Sequence, residues 1–165
     1  MKIVVFSDSH GNVTNMKKVV EKERPDHIFH AGDVARDADA LRSAFPDIPL
    51  EGVCGNCDHD SDMPAQLIAD VQGRRVMLCH GHLYHVKLGM GAAVAAARKA
   101  KVDALVFGHT HEALCMESEG LWILNPGSIR DGWRPSYGVM ELSQDGITCH
   151  ITELQREGES HAFSH

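Results

Sequence analysis

Short apolar runs alternate with amphipathic segments over the first third of the chain. The apolar runs at 2–7, 27–30 and 49–54 have the composition of buried strands. Between them, apolar residues fall on one stripe, which predicts a helix over 12–24, with Asn12 as its N-cap, and a second helix over 37–45. Strands and helices in this order predict a parallel α/β unit.

The rest of the chain predicts a hairpin, a third helix and further strands. Strands at 66–71 and 74–79 flank the turn residues Gln72 and Gly73. A helix is predicted over 91–101 and an apolar strand over 103–107, after which strands dominate to Leu154. We therefore predict a single domain over residues 1–155 and a polar tail over 156–165.

Length and charge narrow the classes of function. The 165 residues suit one domain, and no apolar run approaches the roughly 20 residues that span a bilayer. The apolar start is too short for a signal peptide. Sixteen Lys and Arg against 23 Asp and Glu give a formal net charge of −7, without a basic block. We expect a cytoplasmic protein with no membrane association and no stable nucleic-acid binding.

Polar clusters follow the predicted strands at the points where the strands end. They are Asp8-Ser9-His10, Gly32-Asp33, Gly55-Asn56, His80-Gly81-His82 and Gly108-His109-Thr110-His111. In α/β sheets, ligands bind beyond the carboxyl ends of the strands, so clusters far apart in sequence can meet at one site. The pattern predicts one site built from segments about a hundred residues apart.

The side chains in these clusters predict a metal site. The candidate ligands are Asp8, His10, Asp33, Asn56, His80, His109 and His111. Oxygen and imidazole donors suit Mn²⁺, Fe²⁺ or Zn²⁺ without thiolates. Seven donors exceed the need of one ion, so we predict two ions about 3.5–4 Å apart that share Asp33. His109 and His111, two apart in extended chain, are expected to project on the same side.

Cys54 and Cys57 form a Cys-x-x-Cys that competes with this interpretation. The odd number of cysteines, five, indicates reduced thiols and not a disulfide framework. Cys54 and Cys57 are then either a redox motif or residues without a chemical role that flank the functional Asn56. A thioredoxin-like motif needs its first cysteine at a helix N-terminus. Because no good helix follows, we expect Cys54 to be the last residue of a buried strand, and we disfavour the redox hypothesis.

Together these motifs resemble the series found in calcineurin-like metallophosphoesterases, over residues 1 to about 155. The Gly-Asn-Cys-Asp variant and Asn125-Pro126-Gly127-Ser128 are similar to the compact single-domain phosphodiesterases of the YfcE type. The resemblance implies an α/β fold, a four-layer α/β/β/α sandwich of two mixed sheets flanked by helices. It also implies ligand sets. Asp8, His10, Asp33 and His111 would hold one ion, and Asp33, Asn56, His80 and His109 the other.

The resemblance further implies hydrolysis of a small phosphodiester by a metal-bridging hydroxide. Mn²⁺ is the expected ion, with Zn²⁺, Fe²⁺ and Ni²⁺ as alternatives. Asp33, Asn56 and His80 are the expected catalytic residues.

On the substrate side, Asn56, His82 and Arg130 are the candidates, beside Arg134, while His59 and His82 are candidate proton donors. Cys57 replaces a histidine of many relatives, and a neutral thiol is a poor proton donor, so good leaving groups are expected.

Two further expectations come from the resemblance. It makes a homodimer or a larger homo-oligomer reasonable. It also leaves open a non-catalytic scaffold for protein contacts, because the retromer complex contains a similar fold. A scaffold is expected to have lost ligands, and this sequence retains all seven.

Overall fold

Two five-stranded sheets form the centre of the fold, and the computed structural model describes them within residues 1–56, 58, 63–130 and 135–154. The ten strands, in chain order, are β1 (Lys2–Phe6), β2 (His27–His30), β3 (Leu50–Gly52), β4 (Gln66–Val71), β5 (Arg74–Cys79), β6 (Ala104–Val106), β7 (Leu114–Ser118), β8 (Leu121–Asn125), β9 (Ser136–Ser143) and β10 (Gly146–Glu153). The α-helices are α1 (Val13–Glu23), α2 (Ala35–Ala44) and α3 (Gly91–Lys99).

Both sheets are mixed. The first has the order β10-β9-β1-β2-β3 and the second β4-β5-β6-β8-β7. Strands β1, β2 and β3 are parallel, as are β5, β6 and β8, and the remaining strands pair antiparallel. The parallel unit predicted from the first third of the chain and the hairpin at Gln72–Gly73 are therefore confirmed.

Alternation along β1 shows how the layers are built. Ile3 and Val5 pack between the two sheets, whereas Val4 and Phe6 pack on the opposite face with residues of α1 and α2. A third core joins the second sheet to α3 through Met77, Leu105 and Ala97. Because successive side chains of a strand point to opposite faces, a strand buried on both faces reads as a continuous apolar run. The predicted four-layer α/β/β/α sandwich is confirmed.

The helix predictions hold with one shift. The Asn12 side chain caps α1 by accepting a hydrogen bond from the Asn15 N–H at 3.0 Å. Helix α2 begins at Ala35, two residues before the predicted start. The Ala35 N–H donates to Asp58 Oδ1 at 2.7 Å, so the helix start is satisfied by a residue distant in sequence. A local pattern cannot signal a cap of this kind.

The third strand is shorter than predicted, and the expectation for Cys54 is wrong. Strand β3 ends at Gly52, and half-buried Cys54 lies two residues beyond it. Its N–H donates to the Pro64 carbonyl at 2.9 Å, whereas the Val53 N–H still donates to His30 O of β2 at 3.1 Å. Cys57 lies outside the described residues, and so does the whole of the predicted polar tail over 156–165.

None of the helices in the described ranges combines the length and the apolar character that a membrane span requires.

Candidate metal centre

The carboxyl ends of the parallel strands of both sheets meet at one edge of the sandwich. Backbone hydrogen bonds join the loops there. The Asp8 N–H donates to Gly32 O at 2.6 Å, and the Gly108 N–H donates to His80 O at 3.0 Å. The two pairs of loops are joined across the sheets by His80, whose Nδ1 lies 2.8 Å from Ala31 O. The site is therefore made by both sheets together.

Asp8 is a fully buried carboxylate at this edge. It has no solvent exposure, and its φ of 55° is in the left-handed region. Oδ2 accepts hydrogen bonds from Ser7 Oγ at 2.5 Å and from the His109 N–H at 3.0 Å. Oδ1 faces three imidazole Nε2 atoms, those of His111 at 3.2 Å, His80 at 3.7 Å and His10 at 3.9 Å.

The surroundings of Asp8 keep it ionised. Burial by itself would raise its pKa, but the His111 and His80 imidazoles and the Ser7 hydroxyl together lower the pKa below its usual value. In return, Asp8 raises the pKa of His111 against the effect of burial. The carboxylate is a fixed negative charge at the centre of the site.

His80 presents a lone pair to the site. Because a carbonyl oxygen only accepts, the contact with Ala31 O places the proton on Nδ1, and the neutral ring then has Nε2 free to bind. That atom lies 3.1 Å from Asn56 Oδ1, 3.2 Å from His109 Nδ1 and 3.6 Å from Asp33 Oδ2. Electron-rich atoms therefore converge on one volume, as they do around a cation.

Two buried atoms test whether a metal fits here. Within the described part of the chain, Asp8 Oδ1 and His10 Nε2 have no hydrogen-bond partner. Two groups of donors, Asp8–His10–His111 and Asp8–Asp33–His80, each lie within 4.8 Å of one another. Buried polar atoms without partners are costly, and a divalent cation would satisfy both. The oxygen and imidazole donors fit such an ion.

All seven predicted ligands lie at this edge, and their binding of metal stays a prediction. Asp8 is common to both donor groups, whereas the resemblance gives the shared position to Asp33. Asp33 Oδ2 lies 4.0 Å from His10 Nε2 and 3.6 Å from His80 Nε2, between the two groups.

The expectation that His109 and His111 project together from extended chain is wrong. Their φ values are 70° and 62°, in the left-handed region, and they reach different partners. His109 contacts His80, whereas His111 contacts Asp8. The buried Asn125 holds this turn, since its Nδ2 donates to Gly108 O at 3.2 Å and Thr110 Oγ1 at 2.9 Å. Left-handed residues of this kind cluster at functional sites.

Comparison with known proteins gives the family. Residues 1–145 match the model of the calcineurin-like phosphoesterase superfamily domain. The chain belongs to this superfamily. The phosphoesterase is 29% identical over 157 residues to the probable metallophosphoesterase YsnB of Bacillus subtilis, a match covering 92% of this chain and 90% of YsnB.

Solved structures share the fold of this phosphoesterase. A predicted phosphoesterase from Streptococcus pneumoniae is 24% identical with a TM-score of 0.78, covering 92% of this chain and 88% of that one. Vps29 of Entamoeba histolytica in complex with zinc is 19% identical with a TM-score of 0.72, covering 93% and 99%. A structure described as a novel archaeal phosphodiesterase is 19% identical with a TM-score of 0.70, covering 92% and 100%.

Sequence reasoning missed a buried chain of hydrogen bonds that supports the ligands of the phosphoesterase. The Gly32 N–H donates to His30 Nδ1 at 3.2 Å, and His30 Nε2 lies 3.0 Å from Ser9 Oγ. Ser9 Oγ donates to Asp37 Oδ2 at 2.8 Å, and Asp37 Oδ2 also accepts a hydrogen bond from the Gly11 N–H at 2.6 Å. This chain fixes the backbone on both sides of His10. A histidine at the end of an apolar strand was its only local signal.

The proposed substrate residues lie beside the ligands. His82 is half-buried, and its ring centroid is 5.6 Å from that of His80 and 6.2 Å from that of His109. Burial lowers the pKa of His82. Arg130 is exposed, and its charge opposes the rise in the pKa of His111 that Asp8 causes. Arg134 and His59 lie outside the described residues.

Asp58 fixes the loop that carries Asn56. Its Oδ2 accepts from the Gly55 N–H at 2.8 Å, while Oδ1 accepts from the Ala35 N–H. Gly55 itself leaves no room for a side chain, because a Cβ there would overlap Asp33 Oδ1. The glycine next to Asn56 is therefore needed for close approach to a candidate ligand.

Metal loading is expected to stabilise the phosphoesterase. Mn²⁺ at a hundred times its Kd adds about 2.7 kcal/mol to the free energy of unfolding, which raises Tm by roughly 5–10 °C for a chain of this size. Differential scanning fluorimetry with and without chelator measures the shift. Asp8→Asn should lose most of it, and the exposed Asp145→Asn should keep it. Equal shifts in the wild type and Asp8→Asn would contradict a role for Asp8 as ligand.

Gly55→Ala is expected to weaken Mn²⁺ binding by about 10- to 100-fold, as loss of outer support for metal ligands does elsewhere. The added Cβ must displace the Asp33 carboxylate. Calorimetric titration with Mn²⁺ measures the loss. Gly91→Ala is the matched control, since a Cβ there meets nothing within 4 Å. Unchanged affinity in Gly55→Ala would show that Asp33 is not required in its present position.

Acid is expected to destabilise the fold through His30. Burial lowers the pKa of this fully buried imidazole to about 4, despite Asp8, Asp37 and Asp58. Between pH 6.5 and 4 the unfolded chain therefore binds a proton that the folded chain does not. The free energy of unfolding should fall over that window by up to about 3 kcal/mol.

Urea unfolding of the metal-free protein at several pH values measures this slope. His30→Gln should flatten it in that window, whereas the exposed His150→Gln should leave it unchanged. A slope that His30→Gln does not alter would refute the assignment to His30.

Proposed function

We propose that this phosphoesterase hydrolyses small phosphodiesters, using two divalent ions of which Mn²⁺ is the first candidate. The observation that carries the proposal is the convergence of oxygen and imidazole donors around buried atoms that lack partners. Five donors form two groups, and Asn56 and His109 contact His80 of the second group. Asp8, His10, Asp33 and His111 would hold one ion, and Asp33, Asn56, His80 and His109 the other. When bound, such ions acidify a water molecule and neutralise phosphoryl oxygens.

The chain's own residues contribute orientation and charge. Asp8 and Asp33 are buried, so their negative charges are poorly screened by water. They would therefore attract the positively charged ions strongly at close range. The Ala31 carbonyl fixes the ring of His80 in one orientation. Asn56 is exposed, and its Oδ1 contacts His80 Nε2, so the amide lies where an incoming phosphoryl group meets the ligands. Preorganised polar groups of this kind lower the barrier without reorganisation.

Three considerations favour a small diester as the substrate. A protein with a structural likeness to this chain is described as a phosphodiesterase. The acidic chain lacks the basic block expected of a nucleic-acid-binding protein. Finally, Cys57 stands where many relatives have a histidine, and a neutral thiol protonates a departing alkoxide poorly, so activity should favour good leaving groups.

Hydrolysis of bis-p-nitrophenyl phosphate, compared with p-nitrophenyl phosphate, tests the proposal. We expect Mn²⁺-dependent turnover that is abolished by chelator and faster on the diester. Asn56→Ala and His109→Ala should each lower kcat/KM by roughly 100-fold or more, while Asp145→Asn should not. Absence of metal-dependent turnover of both compounds would sink the proposal, and a clear preference for the monoester would replace it with a phosphomonoesterase.

A non-catalytic scaffold is the second candidate, favoured by the structural likeness to Vps29. It predicts that the ligand side chains are dispensable for the cellular role. The same Asn56→Ala and His109→Ala variants, expressed in cells lacking the wild-type protein, distinguish the two candidates. Full cellular function of both variants would favour the scaffold, and loss of function would favour the enzyme.

A further inference from the structure

A polar groove lies beside His10, next to the candidate metal centre. It has a volume of about 670 Å³, within the range of small-molecule sites. His10 forms one end, and the lining continues over Gly11, Asn12, Thr14, Lys18 and Arg130. The groove is thus formed by the start of α1 and by the segment that follows β8.

The charge of this groove differs from that of the whole chain. The protein carries a formal charge of −7, yet the groove is lined by Lys18 and Arg130 without any carboxylate from the described residues. Among those residues, neither cation forms an ion pair. The amino end of α1 adds the partial positive charge of its macrodipole on the same side. Unpaired cations in a concave surface attract an anionic group.

The two walls of the groove are tied together. Asn15 Nδ2 donates to Ile129 O at 2.9 Å, and the Ile129 N–H donates to Ser7 O at 3.2 Å. The first bond joins α1, which carries Lys18, to the residue before Arg130. The second joins that segment to the residue before Asp8. Hydrogen bonds therefore hold the backbone segments that carry the two cations beside the segment that carries Asp8.

The groove is continuous with the centre through His10, which belongs both to the groove and to the donor group Asp8–His10–His111. A substrate held at the centre would therefore have the groove, with Lys18 and Arg130 in its lining, directly beside it.

We propose that this groove is a subsite for a second anionic group of the substrate, so that the enzyme prefers phosphodiesters that carry an additional phosphate. The inference rests on the proposed function and deepens it. Lys18 is the specificity residue of the groove, and Arg130 shares the anion with it. A phosphate is the probe of choice because its two charges and three acceptor oxygens engage two cations at once.

Two substrates that differ by one group test the subsite. They are the p-nitrophenyl ester of thymidine 5′-phosphate and the same ester with an added 3′-phosphate, and both release p-nitrophenol on hydrolysis. We expect the wild type with Mn²⁺ to favour the bisphosphate in kcat/KM at low salt. Lys18→Ala should reduce that preference by about three- to tenfold, and added salt should reduce it in the wild type.

Lys17→Ala is the matched control, an exposed lysine on the same helix that does not line the groove. The preference should be unchanged in that variant. A preference equal in the wild type, Lys17→Ala and Lys18→Ala would overturn the subsite while leaving the diesterase intact.

Calorimetry separates this inference from the proposed function. Thymidine 3′,5′-bisphosphate should bind more tightly than thymidine 5′-phosphate, with and without Mn²⁺, and Lys18→Ala should remove the difference. If neither ester is hydrolysed, the diesterase proposal fails, and binding alone then decides the subsite. Equal affinity for the two nucleotides would overturn it.

Discussion

An ionised carboxylate removed from water costs several kcal/mol unless other groups replace its hydration. Asp8 has no exposure, so the residues around it must supply that replacement. One oxygen is satisfied by Ser7 and by the His109 backbone, and the other is left to the imidazoles. The backbone around Asp8 is held by Gly32 and by Ser128, whose hydroxyl donates to Asp8 O at 2.8 Å. Compensation of this one charge organises the whole edge.

The same requirement explains why the outer supports are extensive. Ligands with backbone in the left-handed region, such as Asp8, His10, His109 and His111, are held there only when neighbouring groups overdetermine them. The His30–Ser9–Asp37 chain does this on one side and Asn125 on the other. The residues of both supports are buried and polar, so their hydrogen bonds are made to other groups of the protein and not to water. Support and site are therefore one hydrogen-bonded system that extends into the core.

Sequence patterns predicted the strands and the positions of the seven donors because each depends on local periodicity or on a residue directly after a strand. The layer arrangement, in contrast, followed from the resemblance to a known family. Sequence patterns failed where a distant residue decides the local structure. The start of α2 depends on Asp58, and the turn of His109 and His111 depends on Asn125. Likewise, the role of Asp37 follows from its contact with Ser9, 28 positions away, which no local pattern records.

The way the donors are divided between the sheets has a consequence for how the protein matures. Asp8, His10 and Asp33 follow strands of the first sheet, whereas His80 and His111 follow strands of the second, and each donor group includes both. A chain on which only one sheet has formed therefore has neither group complete. Because each group needs residues from both sheets, an ion held by either group would report that the two sheets have come together.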